Sequence, residues 1–163
     1  LDRVRPGQLP VEPEAPGEAC WLVARGFFKK LVVADRIGVT IDPFFAHVND
    51  PTTAGVWALP YVWLYALQIY FDFSAYTDMA RGFGLLFGYR WPENFNAPYL
   101  ATSVTEFWRR WHMTLSRFLR DYVYISLGGN RKGRVRTHLN LMLTMLLGGL
   151  WHGASWSFLV WGG

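Results

Sequence analysis

The sequence contains one cysteine, Cys20, which excludes an internal disulfide and any multi-cysteine metal site. It is also poor in charge, with 17% Asp, Glu, Lys and Arg against about 25% in soluble domains. Two stretches have no charge at all, Pro51 to Phe71 and Thr137 to Gly163. No Gly-rich phosphate loop, serine nucleophile elbow or metal-ligand spacing occurs, so no metal and no bound cofactor is expected. Internal repeats and low-complexity tracts are absent as well. What remains for catalysis is general-base chemistry by histidine.

What the sequence does have is apolar and aromatic. Of its 163 residues 52% are apolar and 18% aromatic, including nine Trp. It begins with Leu1 and stops at "FLVWGG" within an apolar run, so it reads as a piece of a longer chain. Residues 1–18 hold four prolines among mixed charges and are expected to form a polar loop. From Ala19 to Phe45 the basic Arg25, Lys29, Lys30 and Arg36 interrupt an apolar pattern, as in a helix lying at a membrane interface.

The charge-free stretches predict two candidate spans, residues 51–72 and 137–163, because about 20 residues rising 1.5 Å each cross a hydrocarbon core. Between them, Asp78 to Arg136 hold ten Arg or Lys and four acids. The cluster "NRKGRVR", residues 130–136, precedes the second candidate span and predicts a cytoplasmic start for it. A net charge of +4 could suit nucleic acid, yet this segment is interleaved with Trp, Phe and Tyr and offers no basic face, so no nucleic-acid partner is expected.

The segment "ATSVTEFWRRWHMTLSRFLRDYVYISLGGN" reads as an amphipathic helix over 103–126, interfacial or re-entrant. Ser103 and Glu106 have capping-box spacing. Phe107, Trp108, Trp111, Leu115, Phe118, Leu119 and Tyr122 form one apolar stripe. Glu106–Arg110 and Arg117–Asp121 are i,i+4 pairs, and the glycines of "LGGN" supply a stop. Beside the Trp-rich face sits His112. Arg109 and Arg110 offer either a general field for an anionic donor or interfacial anchors.

His152 lies sixteen residues after Arg136, which places it inside the second candidate span. An ionisable group there is a candidate site, and desolvation would favour its neutral, proton-accepting form. Gly148 and Gly149, at i−4 and i−3, leave room for another backbone or for a substrate. Packing alone is the competing reading for both His112 and His152. His47 and His138 read as solvated or interfacial, and Asp72 and Asp78 as structural, the latter within reach of Arg81.

The stretches "YALQIYFDFSAYTDMARGFGLLFGYRWPENFNAPYL", "EFWRRWHMTLSRFLRDYVYISLGGNRKG" and "GLWHGASW" resemble the membrane-bound O-acyltransferases (MBOAT), in particular their bacterial alginate O-acetylation branch. The resemblance covers the chain from about Gly26 onward. It implies an all-α, polytopic integral membrane protein of the bacterial inner membrane, here a partial chain with residues 19–163 forming part of the membrane domain. It also implies transfer of an acetyl group from a cytoplasmic donor, acetyl-CoA or another acetyl carrier, toward hydroxyls of an exported polysaccharide. His152 matches the family's catalytic base and His112 its second signature residue. The partners implied are the lipid bilayer, the acyl donor, and periplasmic acetyl-transfer or polysaccharide-export proteins. The alternatives are D-alanyl transfer to teichoic acid and a non-enzymatic transporter or scaffold segment, although "LGGNRKG" departs from the D-alanyl branch.

Overall fold

The computed structural model describes residues 15–47, 55 and 57–162, and these form helices and turns without a strand. The chain divides into two compact units, one up to Glu93 and one from Asn94. Most of the 1–18 loop lies outside the described residues, but its end is helical, because α1 (Ala15–Phe27) begins there.

In the first unit α1 continues through a π-turn (Phe28–Ala34) into α2 (Asp35–Ala46), and α3 (Ala58–Leu86) packs back along this path. Glycines allow the close approach. A Cβ on Gly82 would stand 2.8 Å from the Ala19 carbonyl oxygen, and one on Gly26 would stand 2.8 Å from that of Ala75. Ala19, Leu22 and Leu85 fill the buried contact between the helices. Farther along, Phe44 stacks on Tyr61 with ring centroids 4.1 Å apart.

The basic residues of this unit are not all directed at an interface. Asp78, on α3, accepts from Arg25 Nε at 2.9 Å, from Arg25 Nη2 at 2.6 Å and from Lys29 Nζ at 2.7 Å. Its expected partner Arg81 is a third and more distant cation, at 3.9 Å. Lys30 spans two acids, Asp35 at 2.9 Å and Asp72 at 2.6 Å. A buried carboxylate needs opposite charge, and the amphipathic pattern of Ala19 to Phe45 supplies it across the helix pair.

The second unit corrects the helix expected over 103–126. Three pieces replace it: α4 (Val104–Arg110), α5 (Met113–Phe118) and a π-turn (Leu119–Tyr124). The break falls at Trp111, which is extended, and His112, which is left-handed. The start is as the spacing predicts, with Ser103 Oγ accepting from Glu106 N at 3.1 Å. Glu106 reaches back to Thr102 N at 2.8 Å and pairs with Arg110 at 2.6 Å. Asp121 pairs with Arg120 at 2.7 Å rather than with Arg117, because a π-turn takes side chains four apart out of line. The expected stop is also present: Gly128 and Gly129 have φ of 109° and 55°, where a side chain would be strained. Asn140, fully buried, donates from Nδ2 to the Gly129 carbonyl at 2.8 Å and so ties this turn to the next helix.

That helix, α6 (Gly133–His152), ends ten residues before α7 does, and the two correct the second candidate span. Residues 137–163 are not one helix, since Gly153 leaves α6 in an extended conformation and α7 (Trp156–Gly162) follows. The first candidate span falls partly outside the described residues, and the remainder is the opening half of α3, which runs on through Asp72, Asp78 and Arg81. Among the described residues no helix is long and apolar enough to cross a membrane.

Candidate active site

The second unit brings His112 and His152 together around one side chain, Trp151. The His112 ring meets Trp151 edge-on at 5.9 Å between centroids, and Trp151 in turn meets His152 edge-on at 5.0 Å. Two residues of α7 complete the surroundings of His152: Trp161 edge-on at 5.0 Å and Phe158 stacked at 6.4 Å. His47 and His138 take no part. Each is exposed, with Nδ1 against the carbonyl four residues before it.

The room beside Gly148 and Gly149 is filled by protein. A Cβ on Gly149 would come 3.1 Å from the Cα of Gly162 and closer still to the Phe158 carbonyl oxygen, so α7 lies directly on the α6 backbone. A Cβ on Gly148 would meet only the Leu119 Cδ1 methyl, at 3.2 Å. Of the two occupants that the glycines could admit, a backbone has taken the place. The fold of α7 onto α6 is what sets Phe158 and Trp161 beside His152.

Burial is divided unequally between the histidines. His152 is the last residue of α6 and is exposed in this chain. His112 carries the desolvation instead, with both ring nitrogens inaccessible to solvent. Burial pushes its pKa below the usual histidine value, and charge on His152 pushes it down further. The uncharged ring is therefore the favoured form of His112.

Arg110 is occupied rather than available to a donor. It pairs with Glu106 and also donates to the Asn96 carbonyl at 3.4 Å, whereas Arg109 is exposed. Glu106 is held to a pKa of about 2 by the Thr102 amide and hydroxyl and then by Arg110. Among the described residues no group of three or more His, Cys, Asp or Glu is placed to hold a metal ion.

Sequence patterning misses Trp151, whose spacing marks only one more apolar residue. It also misses Asn94, which makes three contacts to the start of α5. Asn94 Oδ1 accepts from Thr114 N at 3.0 Å and Thr114 Oγ1 at 2.7 Å, and its carbonyl accepts from Met113 N at 3.0 Å. Phe95, beside it, is buried and edge-on to Trp111 at 5.0 Å. The turn chemistry of "ENFNAPY" is visible in sequence, but a partner twenty residues away is not.

Known proteins place this arrangement in a family. The model of the membrane-bound O-acyltransferase family matches residues 17–163, nearly the whole chain and farther toward the N-terminus than Gly26. The chain is 56% identical over 147 residues to the probable alginate O-acetylase AlgI of Azotobacter vinelandii, which covers 89% of this chain and 28% of that protein. Identity is 48% over 137 residues with the peptidoglycan O-acetyltransferase of Helicobacter pylori, covering 84% and 26%. With the teichoic acid D-alanyltransferase of Bacillus subtilis it is 31% over 147 residues, covering 84% and 36%. The chain thus spans between 26% and 36% of the length of these curated relatives. The matched region includes the α4–α5 break, His112, α6 and His152, and on that extent of agreement the chain belongs to the membrane-bound O-acyltransferase family.

Proposed function

We propose that this chain is part of a multi-pass O-acyltransferase of the bacterial inner membrane. It moves an acetyl group from a cytoplasmic donor, acetyl-CoA or another acetyl carrier, toward hydroxyls of an exported polysaccharide. The observation that carries this reading is the pairing of His112 and His152 around Trp151 in a chain 56% identical to a probable alginate O-acetylase. The lower identity to the D-alanyltransferase, 31%, favours acetyl over D-alanyl as the transferred group. Periplasmic acetyl-transfer or polysaccharide-export proteins would receive the product.

In this reading the neutral imidazole of His152 takes the proton of the acceptor hydroxyl as the oxygen attacks the acetyl carbonyl. A C–O bond forms, and the carbonyl electrons move onto oxygen. His112, held neutral by its burial, retains one N–H with which to stabilise that oxygen. The intermediate collapses with loss of the donor's leaving group, which takes back the proton that His152 holds.

The test is ester-linked acetyl on exported polysaccharide in cells carrying the full-length parent protein with His152→Ala, with membrane abundance measured alongside. Loss of acetyl at normal abundance is expected, by a factor of about 100 or more, since a general base contributes about 10²–10⁴-fold. Full acetylation at normal abundance would refute the role, and loss of assembly in place of acetyl would favour a scaffold.

A further inference from the structure

The break between α4 and α5 runs against the sequence. The apolar stripe from Phe107 to Tyr122 has the period of one unbroken helix, yet His112 sits at φ 41° and ψ 55°. Ala97 is the other described non-glycine residue with positive φ, at 43°. A left-handed conformation is costly for a side chain with a Cβ and persists only where the surroundings impose it.

The imposing element is the segment Asn94–Asn96. In an unbroken helix, Thr114 N would donate to the Arg110 carbonyl four residues back. Both halves of that bond have other partners here. Asn96 N donates to the Arg110 carbonyl at 2.9 Å, and Thr114 N donates to Asn94 Oδ1 at 3.0 Å. The Thr114 hydroxyl donates to the same Oδ1 at 2.7 Å, and Met113 N donates to the Asn94 carbonyl at 3.0 Å. Burial of Phe95 against Trp111 fixes the segment in place.

His112 occupies the N-cap position of α5, but its side chain makes no cap hydrogen bond. An N-cap side chain normally accepts from the second or third amide of the helix, and Thr114 carries the second. Asn94 Oδ1 fills that role from outside the helix, which releases the imidazole from capping. Its ring instead lies against Trp151.

We infer that Asn94 is a positioning residue: its carboxamide oxygen caps α5 in place of His112, holding His112 left-handed with its ring against Trp151. This rests on the reading of His112 as a functional group. Without the oxygen, the Thr114–Arg110 bond can close, His112 relaxes to helical geometry and its ring leaves the position beside Trp151.

The experiment uses the full-length parent protein in its membrane, with Asn94→Ala, Asn94→Asp, Thr114→Val and His112→Ala. Ester-linked acetyl is measured per unit of membrane-resident protein. His112 accessibility is read separately by diethyl pyrocarbonate labelling and peptide mass spectrometry. Asn94→Ala is expected to lower specific acetylation by about tenfold or more, since a displacement of 1 Å at a reacting centre can cost about 10²-fold. The same variant should expose His112 to labelling. Asn94→Asp keeps an acceptor at the same place and should restore most of the acetylation and the protection. Thr114→Val removes one of the two bonds to Oδ1 and should cost about two- to tenfold.

Normal acetylation with His112 still protected in Asn94→Ala would overturn the inference, as would Asp proving as damaging as Ala. A loss of acetyl explained entirely by reduced abundance would also overturn it. If Asn94→Ala fails to accumulate, Asn94→Asp and Thr114→Val decide: an unrestored Asp or an unaffected Thr114→Val rejects the role. Failure of the underlying reading looks different, because His112→Ala would then acetylate normally. An inactive His112→Ala beside a fully active Asn94→Ala rejects the positioning role alone.

Discussion

Gly148 and Gly149 are adjacent on α6, yet alanine at each should have opposite consequences. Both are interior helical positions, so Gly→Ala gains about 1 kcal/mol of helix propensity at either. At Gly148 the added methyl meets one flexible atom, Leu119 Cδ1 at 3.2 Å, which can shift by a few tenths of an ångström. The gain should survive, leaving Gly148→Ala neutral or up to about 1 kcal/mol more stable. At Gly149 the methyl meets backbone, the Phe158 carbonyl and the Gly162 Cα, neither of which moves without moving α7. Overpacking of that kind costs about 1–3 kcal/mol, which cancels or exceeds the propensity gain. The expected gap between the two variants is about 1–3 kcal/mol, with Gly149→Ala the weaker. A functional gap should accompany it, because moving α7 moves Phe158 and Trp161 away from His152. Thermal unfolding of both full-length variants in one detergent, together with acetyl ester per unit of membrane protein, measures the two gaps. Equal melting temperatures, or a more stable Gly149→Ala, would refute the packing of α7 on α6.

Two further predictions concern charge. Asp78→Asn removes the carboxylate shared by Arg25 and Lys29 and should destabilise the protein by about 3 kcal/mol, the lower end for breaking a buried pair because Arg25 is partly solvated; a loss under about 1 kcal/mol in thermal unfolding would refute the hub role. Glu106 has a folded pKa of about 2, below its ordinary value of 4.5, so its contribution to stability is present above pH 4.5 and is lost as pH falls toward 2. Glu106→Gln should flatten the pH dependence of unfolding in that window, and an unchanged slope would refute the assignment.

The features that the sequence predicts well are local ones. Ser103 and Glu106 cap α4 because both partners lie within one turn, and Gly128 and Gly129 end the next element because only glycine is unstrained at those angles. Long-range bonds defeat the same reasoning. The stripe from Phe107 to Tyr122 is consistent with one helix, and the break at His112 comes from amides and a carboxamide in the segment Asn94–Asn96. Periodicity likewise cannot show that Arg25 and Lys29 turn toward Asp78, some fifty residues on. The absence of charge after Thr137 says nothing of Gly153, where the chain leaves the helix. Both histidines stand out in the sequence, but not the order of their burial, because it depends on the reversal of the chain that puts Trp151 between them.

That order bears directly on the proposed chemistry. Two equivalent imidazoles in one site would compete for the same proton, and neither role would be assigned. Here the asymmetry is built in. Burial already disfavours charge on His112, and a proton on His152 disfavours it again. In the proposed step, a proton taken up by His152 would strengthen the neutrality of its neighbour. A mechanism that swapped the two roles would place the charge on the buried ring, which burial and a charged His152 both disfavour. The αL turn at His112, the outside cap supplied by Asn94 and the close fit of α7 on Gly149 fix one arrangement: a buried, neutral His112 ring and the His152 ring on either side of Trp151.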